Sequence, residues 1–203
     1  MKKVIAIVAG GDSSEHDVSL RSAAGIESWI DKEQYDVYIV EISRKEWVAH
    51  LPGGELVPVY RHNFSFRDKM GRDIKPDYAY ITIHGTPGED GILQGYFDLL
   101  QIPYSTSNVL VESLTFNKFV LNQFLRGFGV KVAESVLVRE GQLVDPQQIA
   151  DKVGLPCFIK PNAGGSSFGV THCKVLDDVL PAIACVELPE EAEQFSTVSL
   201  VHR

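Results

Sequence analysis

No apolar run in this chain approaches the roughly 20 residues that a bilayer-spanning helix requires. The first such run, Val4 to Ala9, stops at Gly10-Gly11-Asp12 with no small-residue cleavage pattern behind it, so it reads as a strand and not a secretion signal. Positive charge is also short. Lys and Arg number 19 against 27 Asp and Glu, a net charge of -8, which argues against a nucleic-acid surface. Cysteine is scarce: Cys157, Cys173 and Cys185 form no Cys-x-x-Cys pair, and His172-Cys173 is the only adjacent His/Cys pair. That spacing disfavours a zinc site and suits buried thiols in a reducing, cytoplasmic setting. What remains is ordinary for a globular protein, with 44% hydrophobic and 23% charged residues in 203 positions. A domain or a domain and a half is expected.

The opening has a β-α-β pattern. Val4 to Ala9 reads as a buried parallel strand, the stretch through Ala23, Ala24, Ile26 and Trp29 as a helix, and Tyr35 to Ile42 as a second strand. Between the first two, Gly10-Gly11 permits a tight turn, and Ser14 with Asp17 has the spacing of a capping box. The third glycine of a dinucleotide fingerprint is missing, and Glu15 stands where a pyrophosphate would approach. A carboxylate there suits an ammonium group, or serves simply as a helix-start acid. Trp47 to Lys75 is less regular and offers no functional reading.

A third strand, Tyr78 to Ile83, runs into His84-Gly85-Thr86-Pro87-Gly88-Glu89-Asp90-Gly91, followed by a helical stretch from Ile92 to Leu100. Ligands of open α/β sheets bind beyond the carboxyl ends of strands, at turns of this kind. A purely structural turn accounts for any one of these residues, but poorly for all of them in that order. Ser107 is a candidate cap for a helical stretch from Val109 to Phe128, broken near Thr115. Beyond it, Glu134 to Val138 reads as a strand. Asp145-Pro146 then starts a helix that ends at Gly154. Cys157 to Pro161 and Val170 to Val175 read as strands joined by Asn162-Ala163-Gly164-Gly165-Ser166-Ser167-Phe168-Gly169. Such a loop beside Lys160 suits polyphosphate or is a plain surface hairpin; both readings stand. It does not match G-x-x-x-x-G-K-[ST], because the lysine precedes the glycines.

Three segments together resemble the D-alanine–D-alanine ligases of the ATP-grasp superfamily. The first is Gly10, Gly11, Ser13, Glu15, Val18 and Ser19. The second is the His84 to Gly91 signature with Leu93-Gln94-Gly95. The third is Lys160-Pro161 with Gly165-Ser166-Ser167-x-Gly169. The resemblance covers about Met1 to Leu180. It implies an α/β fold: a parallel-sheet, Rossmann-like pre-ATP-grasp domain over residues 1–115, then a partial α+β ATP-grasp domain over 116–185. In the reaction it implies, ATP phosphorylates the carboxylate of one D-alanine, and the amine of a second displaces phosphate, giving a dipeptide for peptidoglycan precursors. Glu15 would hold the first ammonium with Ser166 supporting it, and His84 would orient that substrate's carboxylate. Lys118, Lys160, Ser167, Gly165 and Gly169 would contact ATP.

Asn117 stands where the family usually has Asp. The magnesium carboxylates, the adenine pocket and the groups that select the second substrate are expected beyond the matched stretch, and the full-length form is expected to be a homodimer. Residues 186–203, with Pro189-Glu190-Glu191-Ala192-Glu193-Gln194, read as an atypical tail without a core pattern, as a frameshift or early stop would produce. The competing expectations are a catalytically dead fragment and another ATP-grasp carboxylate–amine ligase.

Overall fold

A computed structural model describes residues 2–139, 141–164, 169–186 and 197–202. They fall into two compact units, Met1–Ser113 and Leu114–Arg203.

The first unit begins with β1 (Lys3–Gly10), α1 (His16–Trp29) and β2 (Tyr35–Ile42). It continues through β3 (Trp47–His50), β4 (Leu56–Tyr60), β5 (Ser65–Arg67), β6 (Asp73–Ile74), β7 (Tyr78–Ile81) and α2 (Ile92–Leu100), and the division from the second unit falls within α3 (Val109–Phe116). One sheet results, in the order β6-β5-β4-β3-β2-β1-β7. Strands β2, β1 and β7 are parallel, and β2 through β6 form an antiparallel meander. The irregular reading of Trp47 to Lys75 is therefore corrected: that stretch supplies four short strands.

Strand β1 lies between its parallel neighbours β2 and β7, and its side chains alternate between two cores. Ala6 and Val8 join Val40, Ile42, Phe64, Phe66, Leu93 and Phe97 on one face, while Ile7 and Ala9 join Ala23 of α1 on the other. Helix α2 buries Leu93 and Phe97, and full burial of each contributes about 1.5–3 kcal/mol. Phe97 meets Phe64 edge to face at 4.9 Å. Burial pushes the Tyr96 hydroxyl up to about 12, and it donates to the Arg61 carbonyl at 2.7 Å.

The second unit contains α4 (Lys118–Gly127), β8 (Ser135–Arg139), α5 (Pro146–Val153), β9 (Cys157–Pro161), β10 (Thr171–Cys173), α6 (Val179–Ala184) and β11 (Thr197–His202). Its sheet runs β10-β9-β11-β8, all neighbours antiparallel. Cys157 and Ile159 point into a core with Val138, Ile149, Val153, Cys173, Val179 and Ala182. Asp145 caps α5 by accepting from the Gln147 amide, with Pro146 first in the helix.

Three local expectations change. The break in the helical stretch falls at Asn117, which caps α4 by accepting from the Val120 amide. Helix α3 is capped by Asn108, accepting from the Val111 amide at 3.1 Å, and not by Ser107. The tail of residues 186–203 is not without a strand: β11 lies between β9 and β8, pairing with both. Residues 187–196, which carry the acidic stretch, lie outside the described residues.

Candidate active site

Two turns meet beyond the carboxyl ends of β1 and β7. The first, Gly11 to Glu15, has no capping box. Glu15 precedes α1 as its cap residue with no side-chain hydrogen bond to the helix, so the Ser14–Asp17 pairing is corrected. The serine that works here is Ser13, whose hydroxyl donates to the His84 carbonyl at 2.8 Å and accepts from the Glu15 amide at 3.2 Å. The Asp12 amide donates to the Thr86 carbonyl at 3.1 Å, a second tie between the turns. One turn deeper, the buried Ser19 hydroxyl accepts from the Gly10 amide at 3.0 Å and donates to the Thr82 carbonyl at 2.9 Å. Helix α1 is thus fastened to both parallel strands by side-chain oxygen.

Ile83 explains two of the glycines. A Cβ added to Gly11 would lie 2.5 Å from the Ile83 Cγ2, and one added to Gly88 would lie 2.6 Å from its Cβ. Both turns close on that side chain, and any larger residue would open them. The Glu89 carboxylate folds back to accept from the Gly85 amide at 2.7 Å, while Asp90 accepts from the Ile92 amide at 3.1 Å. The acidic pair Glu89-Asp90 therefore shapes the turn between His84 and α2. Buried Gln94 completes it, donating to the Gly88 carbonyl at 2.7 Å and Thr106 Oγ1 at 2.9 Å. Glu15 and His84 are both half-buried on these joined turns.

In the second unit, Lys118 is the first residue of α4. Its backbone amide donates to the Asn162 carbonyl at 3.1 Å, and its ammonium donates to the carbonyls of Asn162 and Gly164, at 3.4 and 2.5 Å. Asn162, only 2% exposed, also accepts through its side chain from the Phe119 amide at 2.8 Å. Lys160 lies two residues earlier on β9, on the face opposite Ile159. Gly169 closes the far end of the loop with φ +65°, where a Cβ would sit 3.0 Å from Pro161 Cγ. The structure therefore brings Lys118 and the start of the glycine-serine loop together. Gly165, Ser166 and Ser167 lie outside the described residues. Asn162, Ser13 and Gln94 are the positions that sequence reasoning did not assign a role. Ser13 and Gln94 are marked in the sequence only as members of the family-like segments, and Asn162 only as the first residue of the loop.

Among the described residues no group of His, Cys, Asp or Glu could hold a metal ion, and no helix is long and apolar enough to cross a membrane. Turns tied above parallel strands, and Lys118 joined to the start of the glycine-serine loop, belong to an α/β protein. The D-ala D-ala ligase N-terminus family matches residues 4–107, and the D-ala D-ala ligase C-terminus family matches residues 124–191. The chain belongs to the D-alanine–D-alanine ligase family. It is 61% identical over 183 residues to the D-alanine–D-alanine ligase of Phocaeicola vulgatus, covering 90% of this chain and 56% of that relative. Among solved structures it is similar to the VanG D-Ala:D-Ser ligase of Enterococcus faecalis, with TM-score 0.82 and 29% identity, covering 100% of this chain and 63% of that one. It is also similar to the D-alanine–D-alanine ligase of Bacillus anthracis complexed with ATP, with TM-score 0.72 and 25% identity, covering 99% and 58%. The chain thus spans a little over half the length of the curated relatives it matches.

Proposed function

We propose that this chain supplies the first-substrate site and part of the nucleotide site of an ATP-dependent ligase that joins two D-alanines for peptidoglycan precursors. The observation that carries this reading is the tie between the two turns, Ser13 to the His84 carbonyl and the Asp12 amide to the Thr86 carbonyl. It holds a carboxylate, Glu15, and an imidazole, His84, on joined turns, a pairing that suits the ammonium and carboxylate of one amino acid. Glu15 binds the ammonium and His84 orients the carboxylate.

Lys118 and Lys160, with Gly165, Ser167 and Gly169, hold ATP; the ammonium of Lys118 at the loop entrance supports that assignment. Lysine offers phosphate a compact positive charge, and catalysis of this kind rests on positioning and on stabilising developing negative charge. Magnesium would neutralise phosphate oxygens when bound. The setting we propose is the cytoplasm, where the three free thiols stay reduced. That the whole enzyme works as a homodimer rests on the family resemblance alone.

Calorimetric titration of the chain with D-alanine tests the reading. Glu15→Gln is expected to weaken binding about tenfold or more, since a hydrogen bond to a charged group contributes about 1.5–3 kcal/mol. Equal affinity of the variant and the unaltered chain would remove Glu15 from the site. Phosphate release from ATP that requires D-alanine would extend the proposal to the whole reaction.

A further inference from the structure

His16, Glu41 and His50 form a cluster that the assignments above do not use. His16 is the first residue of α1 and the immediate neighbour of Glu15. Its ring turns back over the first turn, with Nδ1 3.0 Å from the Gly11 carbonyl oxygen and Nε2 3.3 Å from Glu41 Oε1. Glu41, near the end of β2, places its other oxygen 2.9 Å from His50 Nε2 on β3. The three side chains are only 31%, 28% and 33% exposed. Gly10 lies beneath them: a Cβ there would come within 3.1 Å of His16 Cε1 and 3.4 Å of Glu41 Cγ. Nearby, Asp12 accepts from the Arg44 amide at 2.9 Å and faces its guanidinium at 3.6 Å.

We propose that His16 is a positioning residue for substrate binding, bracketing the Glu15 turn between the Gly11 carbonyl and Glu41. The proposal rests on the reading of Glu15 as the ammonium holder. A carbonyl oxygen accepts hydrogen bonds and donates none, so Nδ1 is the donor of the bond to Gly11. Nε2 then lies beside the Glu41 carboxylate, 3.3 Å away, which sets the ring against β2. Helix α1 has no side-chain cap hydrogen bond, so the turn before it is braced by contacts to the neighbouring strands and their turns. Ser13 holds the turn from the β7 side through the His84 carbonyl, and His16 holds it from the β2 side through Glu41. With both in place the turn cannot swing about either strand. Binding sites lose affinity when such support is slack, even with every contacting residue present.

The test pairs amide hydrogen exchange at residues 13–17 with calorimetric D-alanine affinity, both on the 203-residue chain. His16→Ala should speed exchange at those amides and lower affinity, each by about tenfold, the scale of one hydrogen bond to a charged group. Glu41→Gln should do the same to a smaller extent, and the double variant should be no worse than His16→Ala, because the two act through one bond. His16→Asn, which can still donate to the Gly11 carbonyl, should recover part of the loss. Glu15→Gln should lower affinity and leave exchange unchanged, which separates failure of this proposal from failure of the Glu15 reading. Unchanged exchange or unchanged affinity in His16→Ala overturns the proposal alone, and an unaltered chain that takes up no D-alanine overturns both. Should His16→Ala not fold, nitrogen NMR of the His16 ring in the unaltered chain decides: a protonated Nδ1 is expected, and a bare Nδ1 defeats the bracket.

Discussion

In the first unit, the candidate residues Glu15 and His84 stand on turns past the carboxyl ends of parallel strands. In the second, Lys160 stands within an antiparallel strand and Lys118 on the first turn of a helix. The difference follows from how each sheet is built. Parallel strands all end on one side, so their turns crowd together and can be tied to one another, as Ser13 and Asp12 tie to His84 and Thr86. An antiparallel sheet scatters its turns to both ends, and a residue such as Lys160 is placed by strand alternation instead. The first unit therefore holds its site by hydrogen bonds between turns. The second holds its described part chiefly through one residue, Asn162, which joins the start of α4 to the end of β9.

Three perturbations test how separate these two designs are. The largest effect is expected for Phe97→Ala, which empties a fully buried position beside Phe64 and should cost the first unit about 3–5 kcal/mol. Urea unfolding followed by circular dichroism should show one transition moving and the other staying. If both move together, the units melt as one body and the contrast fails. Asn162→Ala comes next. It strands the Phe119 amide, so the second unit should lose about 1–3 kcal/mol in the same measurement, and no change would show that Asn162 does not join α4 to β9.

The smallest effect concerns the thiols. Burial pushes Cys157 up and Cys173 up to about 11, so the folded chain keeps both protonated where an unfolded chain would ionise. The second unit should hold its full stability below the ordinary thiol range of about 8.5 and lose some of it as pH rises towards 11. Cys173→Ala should remove the Cys173 share of that alkaline loss and leave the share of Cys157. An undiminished loss in the variant would assign it to another group.

Long regular elements were legible from residue order because they repeat their period several times. Tyr35–Ile42 spans eight residues of a strand, and α2 begins and ends where its apolar run does. Short elements were not. Strands β3 to β6 run two to five residues, too few for alternation to register, and Pro58 lies inside one of them. The motif residues of the candidate site stood out for their unusual chemistry. Their supports did not, because they join residues far apart in the chain: Ser13 to His84, His16 to Glu41, Phe119 to Asn162. The Ser14–Asp17 spacing misled for a different reason. A capping box needs its serine at the cap position, and here α1 starts at His16 with Glu15 as the cap residue, so Ser14 stands one residue too early. Strand β11 was hidden by the acidic stretch before it, although Val198 and Leu200 already alternate with small polar residues.

The aromatic cluster beside α2 has an optical consequence. Both tryptophans of the chain belong to the first unit, in opposite surroundings. Trp29 is 83% exposed at the end of α1, whereas Trp47 packs edge to face against Tyr96 at 5.2 Å and Phe64 at 6.1 Å, under the Arg61 guanidinium. Intrinsic fluorescence is therefore blind to the second unit. Within the first, iodide in the solvent silences Trp29 and leaves Trp47 as a built-in lamp on the packing beneath the meander, lit or dimmed by that core alone.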